Sequence, residues 1–123
     1  MKNILRCKGL VDYDYKYDIL FFKSAEKAYA KSIELDSIVV DIDPKGFIMG
    51  IQIFDASKFF NLKKSDLLKV GKWEFRSSVN DGRIEIRLLF RVVVRNKVIE
   101  KNPIIIEPLP FSLPNSELIC EVN

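Results

Sequence analysis

Apolar and polar residues alternate through most of the chain, and this period of two predicts β-strands. The clearest alternating segments are residues 38–42, 47–54, 73–79 and 83–94. Residues 18–23 are apolar on both sides of the alternation, which is typical of a strand covered on both faces. The pattern therefore predicts a protein in which strands dominate.

Two turn sequences join these strands into hairpins. The sequence Asp-Pro-Lys-Gly at residues 43–46 places Asp, Pro and Gly where a type I turn prefers them. An Asp-Gly pair at residues 81–82 lies between two alternating segments, where it favours a tight two-residue turn. We therefore expect one hairpin over residues 38–54 and a second over residues 73–94.

Between the hairpins, the sequence predicts two short helical turns. Asp55 is a good N-cap for a helix, and Asn61 can take the left-handed conformation that ends it. A second turn is expected from Ser65, its cap, to Val70, with Gly71 as its stop. Neither turn is long enough to be stable alone, so both must pack on the sheet.

The remaining segments are less regular. Residues 26–35 fit either a helix or the edge of a sheet. A turn at residues 96–97 precedes a predicted strand over residues 98–107, but Lys101 then falls on the apolar side. Either that strand bulges or its register differs. A proline-rich crossing leads to a last strand over residues 117–122.

Together these elements predict the fold class α+β, mostly antiparallel β, with two hairpin-based sheet segments joined by one or two short helices. We expect a single domain, residues 1–123. Within it, a β-hairpin sheet and a short helix occupy residues 1–61. A β-meander over residues 62–123 shares or extends their core.

The composition is that of an ordinary globular protein. Its 123 residues are 48% hydrophobic and 30% charged, and its apolar runs are far shorter than the roughly 18–20 residues of a membrane span. Charged residues interrupt the start of the chain before the apolar core of a signal peptide could form. Frequent Ile and Lys with a single Gln is a composition that thermophilic proteins show. We expect a cytoplasmic protein without membrane contact.

Two cysteines, Cys7 and Cys120, lie near opposite ends of the chain. In a reducing cytoplasm they are expected to be thiols that pack as small hydrophobic residues. The alternative is a disulfide that joins the two ends.

The chain contains no histidine, and this excludes several classes of site. Ser-His-Asp and Cys-His nucleophiles, the HExxH zinc site and the usual proton shuttle near neutral pH all require histidine. Two distant cysteines cannot supply the four ligands of a structural zinc site. An enzyme would have to use carboxylates, lysine or tyrosine, so we do not expect catalysis or a cofactor.

Residues of the first half resemble a known family. The pair Tyr-Asp at residues 13–14 precedes an apolar strand with Asp18, Leu20 and Phe21. Residues 40–57 then read Val-Asp-Ile-Asp-Pro-Lys-Gly-Phe-Ile-Met-Gly-Ile-Gln-Ile-Phe-Asp-Ala-Ser. This order resembles the uncharacterised family known as domain of unknown function 2283. That family has a Tyr-Asp start, an apolar strand, a D-x-D-x-x-G hairpin, a Gly-Ile-Glu-Ile strand and an Asp-Ala-Ser helix start.

The resemblance covers roughly residues 13–60, and residues 62–123 resemble a longer variety of the family. It implies a small antiparallel sheet followed by a helix, and it implies no established activity. Gln52 stands where the family usually has Glu, which puts any role for an acid at that position in doubt.

Carboxylates are one candidate for a binding site. Asp41 and Asp43 share one strand face and Asp55 follows the next strand, and converging carboxylates bind Mg²⁺ or Ca²⁺. Further acids surround the start of the first strand: Asp12, Asp14 and Asp18. Structural roles are the stronger explanation, because Asp43 starts a turn and Asp55 suits a helix cap. Asp41, Asp43 and Asp55 therefore stay weak metal candidates.

Aromatic residues near the first turn are a second candidate. The set consists of Tyr13, Tyr15, Tyr17, Phe21 and Phe22. At strand spacing these rings could stack nucleic-acid bases, as in single-strand binders. The alternative, which we favour, is that they pack in the core and at its margin.

The arginines give the most distinctive signal. Five of the six lie within twenty residues: Arg76, Arg83, Arg87, Arg91 and Arg95. A two-residue turn places Arg76 opposite Arg87 and Lys72 opposite Arg91. Like charges across a strand pair are destabilising, by up to about 1 kcal/mol. The predicted partner or anion face consists of Lys72, Arg76, Arg87, Leu89, Arg91, Val93 and Arg95.

Two interpretations of this face remain open. An anionic ligand, nucleic-acid phosphates or an acidic partner could offset the repulsion. Alternatively the face is solvated and neutralised by Glu74, Glu85 and Glu100. Residues 72–101 hold eight basic and four acidic residues, a local charge of +4, whereas residues 1–61 balance nine against nine.

Three function classes follow. The favoured one is a protein-interaction module, self-associating as a homodimer or bound to another protein, because Leu89 and Val93 suit a protein contact. The second is a nucleic-acid-associated protein that uses the basic strand face, above all Arg76, Arg87, Arg91 and Arg95. The third is an enzyme that depends on carboxylates or a metal ion.

Overall fold

The computed structural model describes residues 3–25, 28–36, 38–70 and 72–122, and strands dominate it. Strands hold 61% of these residues and helices 8%. The strands are β1 (Asn3–Asp14), β2 (Ile19–Ser24), β3 (Lys31–Leu35), β4 (Ile38–Ile42), β5 (Ile48–Phe54), β6 (Trp73–Asn80), β7 (Arg83–Val94), β8 (Lys97–Lys101), β9 (Ile104–Pro108) and β10 (Ser116–Val122). Two single-turn helices lie between β5 and β6: α1 (Ala56–Phe60) and α2 (Lys64–Leu67).

All ten strands belong to one curled, mixed sheet. Its order is β3-β4-β5-β2-β1-β10-β6-β7-β8, and β9 also pairs with β7. The long strand β1 joins the two halves of the sheet. Its first part pairs in parallel with β10, and its second part pairs antiparallel with β2.

The predicted fold class, α+β with antiparallel hairpin segments joined by helices, is wrong. The helices are single turns, and the two sheet segments are connected by β1 rather than by helices. The parallel pairing of β1 with β10 brings together the two ends of the chain. A contact over that separation leaves no local pattern, whereas hairpins do.

The inner faces of the curled sheet enclose one hydrophobic cluster that draws on both halves of the chain. Trp73 lies at its centre, with its ring centroid 5.0 Å from that of Phe22 and 4.0 Å from that of Phe90. Phe60 of α1 packs against Phe90 at 5.0 Å. A buried hydrogen bond also crosses between the halves, because the hydroxyl of Ser77 donates to the carbonyl oxygen of Ile48 at 2.7 Å.

Both predicted hairpin turns are confirmed. Asp43 Oδ1 accepts the backbone N–H groups of Lys45 and Phe47 at 3.0 and 2.8 Å, and the N–H of Gly46 donates to the Asp43 carbonyl. At the second turn, the two residues between β6 and β7 both have positive φ, 49° at Asp81 and 80° at Gly82. This is the backbone that a type I′ turn requires.

The strand predicted over residues 98–107 is present but interrupted. It is divided into β8 and β9, and both pair with β7. Asn102 and Pro103 separate them, and the Pro103 carbonyl accepts the N–H of Leu88 at 3.2 Å. The register with β7 is the same on both sides of the break, and Lys101 lies on the apolar side as the sequence indicated, because it pairs with the buried Phe90. The turn before β8 is formed by Arg95 and Asn96, both with positive φ.

The helix caps were predicted less well than the helices. Asn61 ends α1 in the left-handed conformation, as expected, but Asp55 is itself left-handed and its side chain makes no capping bond. Ser65 lies inside α2, and the N-cap is Lys63, whose N–H donates to Asp66 Oδ2 at 3.2 Å. The predicted stop at Gly71 lies outside the described residues. The ambiguous segment 26–35 contains a strand, β3.

Candidate interaction face

The outward side chains of β10, β6 and β7 form a surface that we call the striped face. Strand β10 contributes Glu117, Ile119 and Glu121. Strand β6 contributes Glu74, Arg76 and Ser78, and Lys72 comes directly before it. Strand β7 contributes Glu85, Arg87, Leu89 and Arg91. The side chains between them in sequence point inward and are buried. Strand alternation thus separates a charged outer face from an apolar inner one.

The strand register arranges these residues in four rows that run across the strands. The first row is Glu117, Ser78 and Glu85; the second is Ile119, Arg76 and Arg87; the third is Glu121, Glu74 and Leu89. Trp73 pairs with Phe90, so Lys72 and Arg91 make up the fourth row at the next step. The formal charges of the rows are −2, +2, −2 and +2. The four rows therefore sum to zero, and they are bordered by the basic residues Arg6, Lys8 and Arg83 and by the acidic Glu100.

The predicted pairing of Arg76 with Arg87 is confirmed by the register. Their repulsion is offset within the sheet. Arg76 Nε donates to Glu74 Oε1 at 3.1 Å, and Arg87 Nε donates to Glu85 Oε1 at 3.3 Å. These are the interleaved acids that the sequence suggested. All four side chains are partly exposed, so each pair contributes little to stability.

An apolar margin lies beside the charged rows. On the side of β9, Ile104 pairs with Arg87 and Ile106 with Glu85, and their side chains are 47% and 56% exposed. On the same margin Val93 and Val98 pair with each other and are also exposed. Scattered single apolar residues on a surface are ordinary, but a group beside charged rows is typical of contact surfaces.

Shallow grooves lie between the long charged side chains of the face. The largest, about 560 Å³, is bordered by Lys72, Glu74, Leu89, Arg91 and Glu121. A second is bordered by Arg76, Ser78, Glu85, Arg87 and Glu117. These depressions give the face relief that a protein surface could fill.

The structure brings most predicted face residues together but separates Arg95 from them. Arg95 lies in the turn between β7 and β8, beside the segment 61–69. Sequence reasoning missed the contribution of β10. The alternation of Glu117, Ile119 and Glu121 marks an outward strand face, but its place beside β6 depends on pairing between distant segments.

The candidate metal ligands Asp41, Asp43 and Asp55 are not gathered into one site. Asp41 Oδ1 accepts a hydrogen bond from the Ser32 hydroxyl at 2.7 Å, Asp43 holds its turn, and Asp55 is exposed before α1. In the described part of the chain, no group of three or more His, Cys, Asp or Glu side chains could hold a metal ion.

Asp18 forms a structural centre that the sequence did not indicate. It is 7% exposed and has a left-handed backbone. Its Oδ1 accepts the Tyr13 hydroxyl at 2.6 Å and the Ser57 N–H at 3.0 Å, and its Oδ2 accepts the Ser57 hydroxyl at 2.6 Å. Asp18 thus performs the capping role at α1 that the sequence assigned to Asp55.

The hydrogen bonds at Asp18 set the protonation of two groups. Desolvation works to raise the pKa of the Asp18 carboxyl, but the hydrogen bonds from Ser57 and Tyr13 together outweigh it and lower this pKa below its usual value. Burial, with the hydrogen bond to Asp18, raises the pKa of Tyr13 far above its usual range. Asp18 is therefore an anion and Tyr13 a neutral donor at neutral pH.

The aromatic set does not form a platform. Phe22 is buried in the core, Phe21 points to the opposite side of β2, and Tyr15 and Tyr17 are exposed in the turn before β2. Tyr13 is half-buried against Asp18.

Cys7 and Cys120 are direct partners in the parallel pairing of β1 with β10. Both are thiols, and their Sγ atoms lie 2.8 Å apart. Cys120 is fully buried, whereas Cys7 is half-buried.

Among the described residues, neither helix has the length or the apolar character needed to cross a membrane.

Comparison with known proteins identifies a family rather than an activity. Residues 10–57 match the family described as "Protein of unknown function (DUF2283)". The chain belongs to this family, as its resemblance in the first half predicted. The matched segment runs from β1 to α1, and Tyr13, Asp18 and Ser57 all lie within it. The family's Tyr-Asp start and Asp-Ala-Ser helix start thus meet at Asp18.

Two archaeal proteins are similar over most of this chain. One, from Methanosarcina mazei, carries the provisional name hypoxanthine phosphoribosyltransferase; it is 38% identical over 112 residues, which cover 91% of each chain. The other, an uncharacterised protein of Methanocaldococcus jannaschii, is 36% identical over 100 residues, which cover 80% of this chain and 85% of the relative. No solved structure matches this chain. The family has no assigned function.

Proposed function

We propose that this protein is a protein-interaction module that binds through the striped face. The observation that carries the proposal is the arrangement of that face: four rows of alternating charge with a sum of zero, beside an apolar margin. Alternating charge fixes the register of a protein contact, and apolar side chains supply the burial that favours it.

Nucleic-acid binding has less support from the same face. A phosphate backbone requires a surplus of positive charge, and single strands require aromatic side chains on which bases stack. The four rows of the striped face are neutral in sum and contain no aromatic residue. The arginines are also engaged by Glu74 and Glu85.

The start of α1 offers no support for the transferase name of the M. mazei relative. Phosphate-binding sites commonly use the free N–H groups at the start of a helix. Here the N–H of Ser57 at the start of α1 already donates to Asp18, and the N–H of Ala56 donates to the Asp18 carbonyl. We therefore do not transfer that activity.

Affinity capture from a lysate of the source organism tests the proposal. The wild-type chain is expected to retain a defined protein after nuclease treatment. Arg87→Glu with Arg91→Glu should reduce that capture more than tenfold, because two basic positions of the face are reversed. The control is Lys58→Glu with Lys69→Glu, which makes the same change in charge at exposed positions outside the face.

Two results would contradict the proposal. One is a captured protein that both double variants retain equally, since the face would then play no part. The other is capture that disappears with nuclease and falls steeply with salt, which would indicate nucleic acid instead.

A further inference from the structure

We propose that the occupant of the striped face is a second copy of this chain, related to the first by a two-fold axis. The axis runs parallel to the rows, between the row of Arg76 and Arg87 and the row of Glu74 and Leu89. This inference rests on the proposed function and names its partner.

The order of the row charges carries the inference. A two-fold axis through the middle of the four rows places the first row on the fourth and the second on the third. Because the charges run −2, +2, −2 and +2, every row then faces a row of opposite sign. If the row charges were symmetric about the centre, each row would instead face a row of the same sign. The striped face is therefore complementary to itself.

The strand positions specify the individual contacts. Each column of the sheet faces the same column of the second copy, so Arg76 faces the partner's Glu74. On β7, Glu85 likewise faces the partner's Arg91. Each contact occurs twice, because the interface is isologous.

The flanks of the face show where the contact is centred. On one flank, β1 adds Arg6 beside Ile119 and Lys8 beside Glu121, and the axis would bring these two basic residues together. On the other flank, Ile104 and Ile106 offer exposed apolar area. The axis would set Ile106 opposite the partner's Glu100, so the repulsion on the first flank places the contact over β6 and β7.

Charge reversal tests the inference by the mass of the protein in solution. Light scattering and sedimentation from about 1 µM to about 500 µM should show the wild-type chain converting from one copy to two. Arg76→Glu and Glu74→Arg should each weaken association at least tenfold, because each sets like charges against each other twice per dimer. The double variant Arg76→Glu with Glu74→Arg should recover the wild-type affinity. Lys58→Glu should leave it unchanged.

A wild-type chain that stays monomeric over this whole range overturns the second copy as occupant, and so does a dimer that Arg76→Glu leaves intact. Neither result decides the proposed function. In that case the capture of a different protein, lost in Arg87→Glu with Arg91→Glu, would still support an interaction module. If neither self-association nor the capture of a different protein is observed, the second copy and the interaction module are both contradicted.

The cysteine pair carries a second, independent inference. We infer that Cys7 and Cys120 form a thiol–disulfide site that reacts with low-molecular-weight disulfides. Adjacent strands lie about 4.7–4.9 Å apart, within the Cα separation that a disulfide spans. The two residues are direct partners, and their Sγ atoms are already in contact at 2.8 Å. Cys7 is half-buried, so a reagent can reach its thiol more readily than that of the fully buried Cys120.

The reaction proceeds by two exchanges. The Cys7 thiolate attacks one sulfur of the reagent, breaks its S–S bond and releases one thiol. The Cys120 thiol, losing its proton, then attacks Cys7 Sγ and releases the second thiol. The two cysteines lose two electrons and two protons, which the reagent takes up as it becomes two thiols. The product links β1 to β10 and closes a loop from residue 7 to residue 120.

Oxidised glutathione serves as the probe. The intact mass of the treated wild-type chain should fall by two hydrogen atoms, with no adduct, and the melting temperature should rise by at least about 5 °C. Cys120→Ala should keep a glutathione adduct on Cys7, and Cys7→Ser should stay unmodified. A wild-type chain that keeps both thiols, or that accumulates a stable adduct, would overturn this site.

Discussion

Asp18 connects three segments that are distant in sequence: β1 through Tyr13, the turn before β2, and α1 through Ser57. Charge-assisted hydrogen bonds are roughly twice as strong as neutral ones, and this carboxylate accepts three hydrogen bonds in a site only 7% exposed. The residues that mark the family therefore have a structural role, and the family signature need not point to catalysis.

Replacing Asp18 by Asn should destabilise the protein by about 1.5–3 kcal/mol at neutral pH, because the hydrogen bonds lose their charge. Asn also accepts the left-handed backbone at this position. Asp55→Asn is the matched control: Asp55 is left-handed too, but its side chain caps nothing, so the change should stay within about 0.5 kcal/mol. Urea unfolding measures both. Equal effects of the two substitutions would show that Asp18 has no special role.

The difference in stability between the wild type and Asp18→Asn depends on pH. The pKa of Asp18 is lowered in the folded state, so its contribution is complete above the ordinary aspartate value of about 3.9 and is lost as the pH falls through the folded value. The difference in stability between wild type and Asp18→Asn should therefore shrink below about pH 4. A difference that stays constant down to pH 2.5 or so would contradict the account.

At the scale of elements, local signals were sufficient where the contacts are local. The two hairpins follow from turn residues next to the strands they join, and both are confirmed. The helix caps were misjudged because the group that bonds the start of α1 comes from Asp18, which lies far from it in sequence. The division of β8 from β9 falls at Asn102 and Pro103 and leaves the register with β7 unchanged.

The hydrogen bond from Ser77 to Ile48 joins the two halves of the sheet, and its contribution to stability can be measured. Removing its hydroxyl with Ser77→Ala leaves the buried carbonyl of Ile48 without this donor, and we expect a loss of about 1–3 kcal/mol. Ser78→Ala, the next residue on the outward side, should cost less than about 0.5 kcal/mol. Denaturant unfolding followed by the fluorescence of Trp73, which lies in the shared core, reports both. A Ser77→Ala protein as stable as the Ser78→Ala protein would mean that this bond does not join the halves.

At the scale of the whole molecule, the sequence identified most of the candidate face but could not order it. Arg76, Arg87, Leu89 and Arg91 were predicted to share one surface, and the register of β6 and β7 places them there. The acidic rows depend on β10, which reaches β6 only because it pairs with β1 at the other end of the chain. Long-range pairing therefore turns a cluster of arginines into alternating rows.

Mixing two charge variants tests the central claim most directly. In our account the Arg76→Glu chain presents two carboxylates where the Glu74→Arg chain presents two guanidinium groups. Each variant alone should be monomeric, and native mass spectrometry of an equal mixture should show one copy of each chain in a dimer tighter than that of the wild type. A mixture that stays monomeric, or that pairs without preference, would contradict a self-complementary striped face.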